Sequence, residues 1–363
     1  MKLPRRATAS LAVTALALPL SVAAVAPAAA ATVLVDRGWP PYSYGSPYGY
    51  GYSSPYSPTS SLDTSEATSE ESTGLVTITT EIQYGQGEAA GTGMVIRSDG
   101  IVVTNHHVVE GATAIRVTVV NTGRTYPAEV LGYDATRDIA VLKLSGASGL
   151  AAVDTDSSGV SLGEDVTAVG DAGGDGGSLT AASGTVTDLR KAITVSDEQT
   201  GRPHRLRNLV EIDADIIPGD SGGALLDSEG AVVGMNVAAS SGTANITGYV
   251  IPVKRVVRIA DAIVAGDSTV GAIRLGYGAF LGVSLSGTGT TLAAVLDGGA
   301  AGDAGLAAGD TITSVGGTPV TTYTQLRKAV ARYAAGDRVR VTWTDSSGTS
   351  HAASVTLGQA PVA

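Results

Sequence analysis

The sequence predicts a mostly β protein of roughly two domains, a barrel-like body followed by a smaller domain of strands and one helix. Three observations carry that expectation. The 363 residues are 43% hydrophobic and only 16% charged, enough to bury a sizeable core. Forty-eight glycines stand beside a single Phe, and many Val and Thr accompany them, which suits short strands joined by tight turns. From Gly74 onward, β-branched runs recur between turn residues, and helical spacing replaces them at only two places.

The chain begins with a basic stretch, Met1 to Arg6, then an uncharged apolar run, Leu11 to Ala26, then Ala28 and Ala30 in Ala-x-Ala spacing. This is the pattern of a signal peptide over 1–31 and predicts an exported, envelope or secreted protein. The competing reading is an uncleaved membrane anchor, against which stand Pro19 and a length below the roughly 20 residues a spanning helix needs. Arg5-Arg6 also matches a twin-arginine start, though such a pair is common in ordinary signals. The net charge of −11 includes Lys2, Arg5 and Arg6, so processing takes it to −11 − 3 = −14, a surface that repels nucleic acid. With no cysteine, disulfides, a Cys-based zinc site and a thiol nucleophile are all excluded.

Residues 32–73 are rich in Tyr, Ser, Pro and Gly, as in Tyr48-Gly49-Tyr50-Gly51-Tyr52, and turn acidic at Asp63, Glu66, Glu70 and Glu71. They are expected to form a disordered tether, with a tyrosine-mediated contact to a partner or the cell envelope as the alternative. Over 74–270, the runs Val76 to Ile82, Gly93 to Ile96, Ile101 to Thr104, Ile115 to Val120 and Ala140 to Leu144 predict a barrel. Val256, Ile259 and Ile263, with Gly266 as a C-terminal stop, predict a helix over Lys254 to Ala265 that closes this domain. Over 271–363 strands resume, and Thr322-Tyr323-Thr324-Gln325 reads as a capping box before a helix with Leu326, Val330 and Tyr333 on one face.

Chemistry concentrates in Gly219-Asp220-Ser221-Gly222-Gly223, where glycines let the backbone approach a substrate and aim amides at a developing oxyanion. In a chain this rich in glycine, such a cluster is often only a turn. It also matches the Gly-x-Ser-x-Gly elbow of α/β-hydrolases, with Asp297 and His351 in that fold's chain order. An elbow needs a long helix after the serine. Here Ala224 to Asp227, Ser228-Glu229-Gly230 and Ala231 to Val237 predict a β-hairpin instead. Partners therefore lie upstream, in the order His, Asp, Ser: His106 and His107 end a strand, and Asp138 opens the run Ile139 to Leu142. Of the four histidines, His204 sits in a polar segment and His351 near the end of the sequence, which leaves the adjacent pair. Spacing does not tell His106 from His107.

Thr104-Asn105-His106-His107-Val108-Val109, Asp138-Ile139-Ala140-Val141-Leu142 and Pro218-Gly219-Asp220-Ser221-Gly222-Gly223 together resemble the HtrA/Deg family of trypsin-like serine proteases. Phe280-Leu281-Gly282-Val283 and Gly305-Leu306-Ala307-Ala308-Gly309-Asp310 resemble the PDZ domain that follows such protease domains. The resemblance covers about 74–358. Departures are His106 where the family usually has Asn, Asp220 where it often has Asn, and Ala224 where Pro is common. It implies a chymotrypsin-like double β-barrel protease domain followed by a small α+β PDZ domain, with His107 as base, Asp138 as its orienting acid and Ser221 as nucleophile. It places the oxyanion hole on the amides of Gly219 and Ser221 across Asp220, in a loop whose formation often regulates the family.

Asp215, six residues before Ser221, matches the acid that selects basic P1 residues in trypsin. The alternative is an apolar pocket near Ile216, Val237, Ala238 and Ala239 for aliphatic P1 residues. In the C-terminal domain the resemblance places peptide capture at Phe280, Leu281 and Gly282, with strand addition at Val283 to Leu285 beside Leu326 and Val330; the plain alternative is core packing. The expectation is an endopeptidase for unfolded or damaged proteins that binds peptide C-termini, needs no metal or cofactor, and forms the homotrimer common in the family. A scaffold or chaperone without turnover is the reading from another class.

Overall fold

Because side chains alternate across a strand, one strand can serve two cores at once. In Ile139–Leu144, Ala140, Leu142 and Leu144 enter a cluster with Val76, Ile78, Val95, Val102 and Val117, while Ile139 and Val141 enter another with Met94, Ile101 and Val103. The computed structural model describes residues 63–82, 87–196, 203–237 and 247–362. The signal-like segment, the tether as far as residue 62, and Ala238 and Ala239 lie outside the described residues.

The strands are β1 (Ser65–Glu66), β2 (Leu75–Ile82), β3 (Gly87–Arg97), β4 (Ile101–Thr104), β5 (Ala112–Val119), β6 (Arg124–Asp134) and β7 (Ile139–Leu144), with the short helix α1 (His106–Val109) after β4. Next come β8 (Asp165–Gly170), β9 (Thr180–Ser196), β10 (Pro203–Ile212), β11 (Ala224–Leu226), β12 (Val232–Val237), β13 (Gly248–Pro252) and helix α2 (Val253–Val264). Strands β2 to β7 pair in the order β6-β5-β2-β3-β4-β7, and β7 pairs back onto β6. The order β9-β10-β13-β12-β11-β8 repeats the pattern, with β8 closing onto β9. Both sheets are thus antiparallel barrels that leave no free edge. Val166, Ala168, Ile212, Leu225 and Val250 fill the second barrel. The cluster holding Ile139 and Val141 also takes in Val169, Leu206, Met235, Val253, Val256 and Ile259, so it seals the two barrels and α2 together.

Helix α2 ends as the sequence predicts. Gly266 stands at φ +71°, its amide donates to Ile263 O (3.0 Å) and that of Asp267 to Ala262 O (2.8 Å), the two bonds of a Schellman cap. The chain then adds β14 (Arg274–Leu275) to β6 and builds a smaller unit of β15 (Ala279–Phe280), β16 (Val283–Leu285), β17 (Leu292–Val295), α3 (Ala300–Asp303), β18 (Thr311–Val315), β19 (Thr318–Pro319), α4 (Tyr323–Val330), β20 (Arg338–Thr344), β21 (Ser350–Thr356) and β22 (Gly358–Gln359). Its core contains Leu281, Leu292, Leu306, Ile312, Leu326, Val341 and Trp343.

Two expectations need correction. Residues 63–73 are not a disordered tether: Ser65 and Glu66 pair with Ala181 and Thr180, the Ala67 amide donates to Leu179 O (2.8 Å), and Ser72 is buried. Polar composition hid a pairing whose partner lies more than a hundred residues away. The capping box of α4 is half shifted. Thr322 Oγ1 accepts the Gln325 amide (3.3 Å), but the Gln325 side chain reaches one residue further back, to the amide and hydroxyl of Thr321 (2.9 and 3.0 Å).

Candidate active site

His107 and Asp138 come from opposite ends of two neighbouring strands. Strands β4 and β7 pair through Thr104 and Ala140, so the residues just past Thr104 and just before Ile139 meet. Asn105, fully buried, donates its side-chain Nδ2 to the Asp138 carbonyl (3.0 Å) and fixes that backbone. The Asp138 carboxylate then takes the His107 amide on Oδ1 (3.0 Å) and faces the His107 ring nitrogen Nδ1 on Oδ2 (2.8 Å). Asp138 is only 3% exposed and adopts φ +56°, a left-handed conformation that Asp tolerates and that places strain at the site. Burial works to raise its pKa, yet the His107 ring and amide outweigh burial and hold the carboxyl below its ordinary value.

The two histidines part company here. His106 is 5% exposed and stacks on Tyr133, ring centroids 4.7 Å apart, whereas His107 keeps 26% of its side chain exposed and turns Nδ1 to Asp138. Sequence reading missed the turn that delivers Asp138. Buried Asp134 accepts from the amide (3.1 Å) and hydroxyl (2.7 Å) of Thr136, from the amide (3.1 Å) and guanidinium (2.5 Å) of Arg137, and from the Ala272 amide (3.3 Å). Burial opposes ionisation there, but these donors hold its pKa low. An Asp with Thr two residues on and Arg three residues on is the visible mark of such a turn.

Ser221 lies in the loop between Ile216 and β11, is 5% exposed, and is flanked by Gly219 at φ +98° and Gly222 at φ +86°. The strands after it form the expected hairpin: β11 and β12 pair antiparallel, Ala224 with Met235 and Leu225 with Gly234, so no elbow helix follows the serine. The His351 of the hydrolase alternative instead stacks on Trp343 and contacts Asp345 Oδ2 (2.7 Å) within the C-terminal unit. Asp220 is buried, with Oδ2 accepting the Ile217 amide (2.9 Å) and Oδ1 without a hydrogen-bond partner among the described residues. Burial pushes its carboxyl up to about 7, the Ile217 amide opposing and the nearby Asp171 charge adding to the rise. Asp171 is itself raised, chiefly by burial.

Of the specificity candidates, half-buried Asp215 accepts the backbone amide of Asp63 on Oδ2 (2.9 Å). Ile216 belongs to the core of the second barrel and Val237 to the cluster between barrels. In the C-terminal unit Leu281 and Leu326 are core residues, and Val283, Leu285 and Val330 pack at its margin. Phe280 pairs with Gly358, and Gly282 takes φ +75° just before β16. A concavity of this unit, about 550 Å³, is lined by residues from β17 and by Leu306, Ala307 and Ala308, not by β16 and α4.

Two barrels with a His–Asp pair beside a Gly-Asp-Ser-Gly-Gly loop define a trypsin-like peptidase fold. The model of the trypsin-like peptidase domain matches residues 91–235, and that of the PDZ domain matches 291–344. Serine protease PepD of Mycobacterium tuberculosis is 33% identical over 303 residues, 77% of this chain and 63% of that protein. Serine protease Do-like HtrA of Lactococcus lactis subsp. lactis is 33% identical over 293 residues, 74% of this chain and 70% of that protein. Periplasmic serine endoprotease DegP of Escherichia coli is 31% identical over 267 residues, 69% of this chain and 53% of that protein. The chain belongs to the HtrA/Do-like family of serine proteases, and it spans under two thirds of the length of PepD and of DegP.

Proposed function

We propose that the protein is an exported serine endopeptidase that cleaves unfolded or damaged proteins without ATP, with His107, Asp138 and Ser221 as its triad and a PDZ unit that binds peptide C-termini. The observation that carries this reading is the 2.8 Å contact between His107 Nδ1 and Asp138, in a family whose serine motif the chain retains at Ser221. Ser221 Oγ attacks the scissile carbonyl, His107 Nε2 takes the hydroxyl proton and returns it to the leaving amine, and Asp138 fixes the ring tautomer. The acyl-enzyme formed on Ser221 is then hydrolysed by water, which His107 deprotonates in turn. The amides of Gly219 and Ser221 hold the oxyanion, each such donor contributing about two to three powers of ten in turnover.

Asp215 is engaged by the Asp63 amide, which favours a structural part for it over selection of basic P1 residues. The expected profile on a peptide library is small aliphatic P1; a strong Arg or Lys preference would count against this. In the PDZ unit, β16 pairs with β17 alone among the described residues, so its other edge suits an added peptide strand, with the amides around Gly282 at its carboxylate. Export rests on the basic and apolar start of the chain and on relatives named periplasmic. Among the described residues no helix is long and apolar enough to cross a membrane. Casein cleavage by the purified chain, absent in Ser221→Ala, tests the central reading. Equal cleavage by both would overturn it.

A further inference from the structure

The loop that carries Ser221 is gripped from the other barrel by a single threonine. Thr92 lies in β3, is fully buried, and uses each of its polar groups. Its amide donates to the Ser221 carbonyl (2.8 Å), and its carbonyl accepts from Thr104 Oγ1 (2.7 Å). Its hydroxyl donates to the Gly219 carbonyl (2.8 Å) and accepts from the Asp171 amide (2.9 Å). Thr92 therefore touches both residues assigned to the oxyanion hole while lying outside the triad.

Two successive peptide planes are pinned around it by three hydrogen bonds. The Pro218 carbonyl accepts the Gly173 amide (2.8 Å), the Gly219 carbonyl accepts the Thr92 hydroxyl, and the Asp220 amide donates to Ile217 O (3.1 Å). No described peptide bond is cis, and in a trans peptide the C=O and N–H point opposite ways. Holding the Pro218 carbonyl against the 171–174 loop thus turns the Gly219 N–H away from that loop. The contact has no slack: a Cβ on Gly219 would lie 2.0 Å from Asp171 O, and one on Gly222 would lie 2.1 Å from Thr92 O. Glycine at 219 leaves the local backbone free to rotate, so contacts from outside the loop add to the Asp220–Ile217 bonds in selecting its orientation.

We propose that Thr92 is the positioning residue of the oxyanion hole: its hydroxyl, clamped between the Gly219 carbonyl and the Asp171 amide, anchors the 171–174 loop whose Gly173 amide holds the Pro218 carbonyl, and so keeps the Gly219 N–H facing the substrate. The inference rests on the protease reading given above. Thr92→Val keeps the shape and removes both hydroxyl bonds; Thr92→Ser keeps the hydroxyl and removes the methyl. On the full chain, kcat for a peptide substrate falls about 10² in Thr92→Val with KM within about twofold, as for loss of one oxyanion donor. Thr92→Ser holds kcat within about threefold. Amide hydrogen exchange at Asp171 and Asp220 quickens at least about tenfold in Thr92→Val and stays at the parent rate in Thr92→Ser. If valine does not fold, Thr92→Ala takes its place against the serine variant. A parent-like kcat in the valine variant, or a serine variant as impaired as valine, overturns the clamp. If the parent itself neither cleaves nor reacts with a fluorophosphonate, the protease reading fails instead, and exchange unchanged in Thr92→Val still overturns the clamp.

Discussion

Asp220 sits one residue before the proposed nucleophile and carries a charge problem that Asn, often found at this place in the family, would avoid. Its folded pKa, about 7, is above the ordinary 3.8, so between about pH 4 and pH 7 the folded state holds a proton that the unfolded state has released. Stability therefore falls as pH rises through that window and flattens above it. Asp138 acts in the opposite sense and below it, because its lowered pKa makes the fold lose stability only under acid conditions. Comparing thermal melting of the parent and Asp220→Asn isolates the group. The parent should lose several degrees relative to the variant between pH 5 and pH 8, and equal slopes would refute the assignment. The residues proposed for the chemistry stand in motifs visible in the sequence, and the structure brings His107 and Asp138 together. Spacing alone left His106 and His107 equivalent; the family motif points to His107, and the structure separates the two by the stacking of His106 on Tyr133 and the His107–Asp138 contact. Thr92 was invisible, since a Thr between glycines in a strand looks like any β residue until the partners at Gly219 and Asp171, some eighty and more residues away, are known.

Strands and helices were read well where their signal is local. The α2 stop, the α4 start and the hairpin after Ser221 each depend on residues within a few positions, and each lies where composition put it. The Schellman cap gives a direct check. Gly266→Ala forces a Cβ into a left-handed position at a site with open space around it, so it should cost about 1 kcal/mol. Chemical denaturation should show that loss with fluorophosphonate reactivity unchanged; no loss would mean the cap does not hold in solution. A sharper case is Gly222→Ala, where φ +86° and the 2.1 Å approach to Thr92 O leave no room. Turnover should fall by at least about tenfold there, and a fully active variant would contradict the described loop. The segment 63–73 was misread because its strand is two residues long and its bonds are to the second barrel.

Across the whole molecule, what no local pattern announced is how distant pieces close the barrels on one another. Val362 packs into the core of the first barrel, its carbonyl accepting the Gly111 amide (2.7 Å) and its amide donating to Ala112 O (3.2 Å), just past the helix that bears His107. Val362→Ala should therefore lower unfolding free energy by about 1 to 2 kcal/mol, a cost read by denaturant midpoint, while an unchanged midpoint would show that the contact is dispensable. The period-two runs foretold barrels but not that one face of β7 would face the second barrel, because partner faces are set by tertiary pairing rather than by the run itself. The same meeting of barrels hydrogen-bonds Thr92 of the first to Ser221 of the second and sets Gly222 against Thr104, three residues before His107, and the proposed triad depends on that conjunction. The most direct test is labelling with a serine-directed fluorophosphonate, mapped by peptide mass spectrometry, on the parent, His106→Ala and His107→Ala. One labelled serine, Ser221, is expected in the parent and His106→Ala, with loss of labelling in His107→Ala. Labelling at another serine, or undiminished labelling without His107, would contradict the proposed triad.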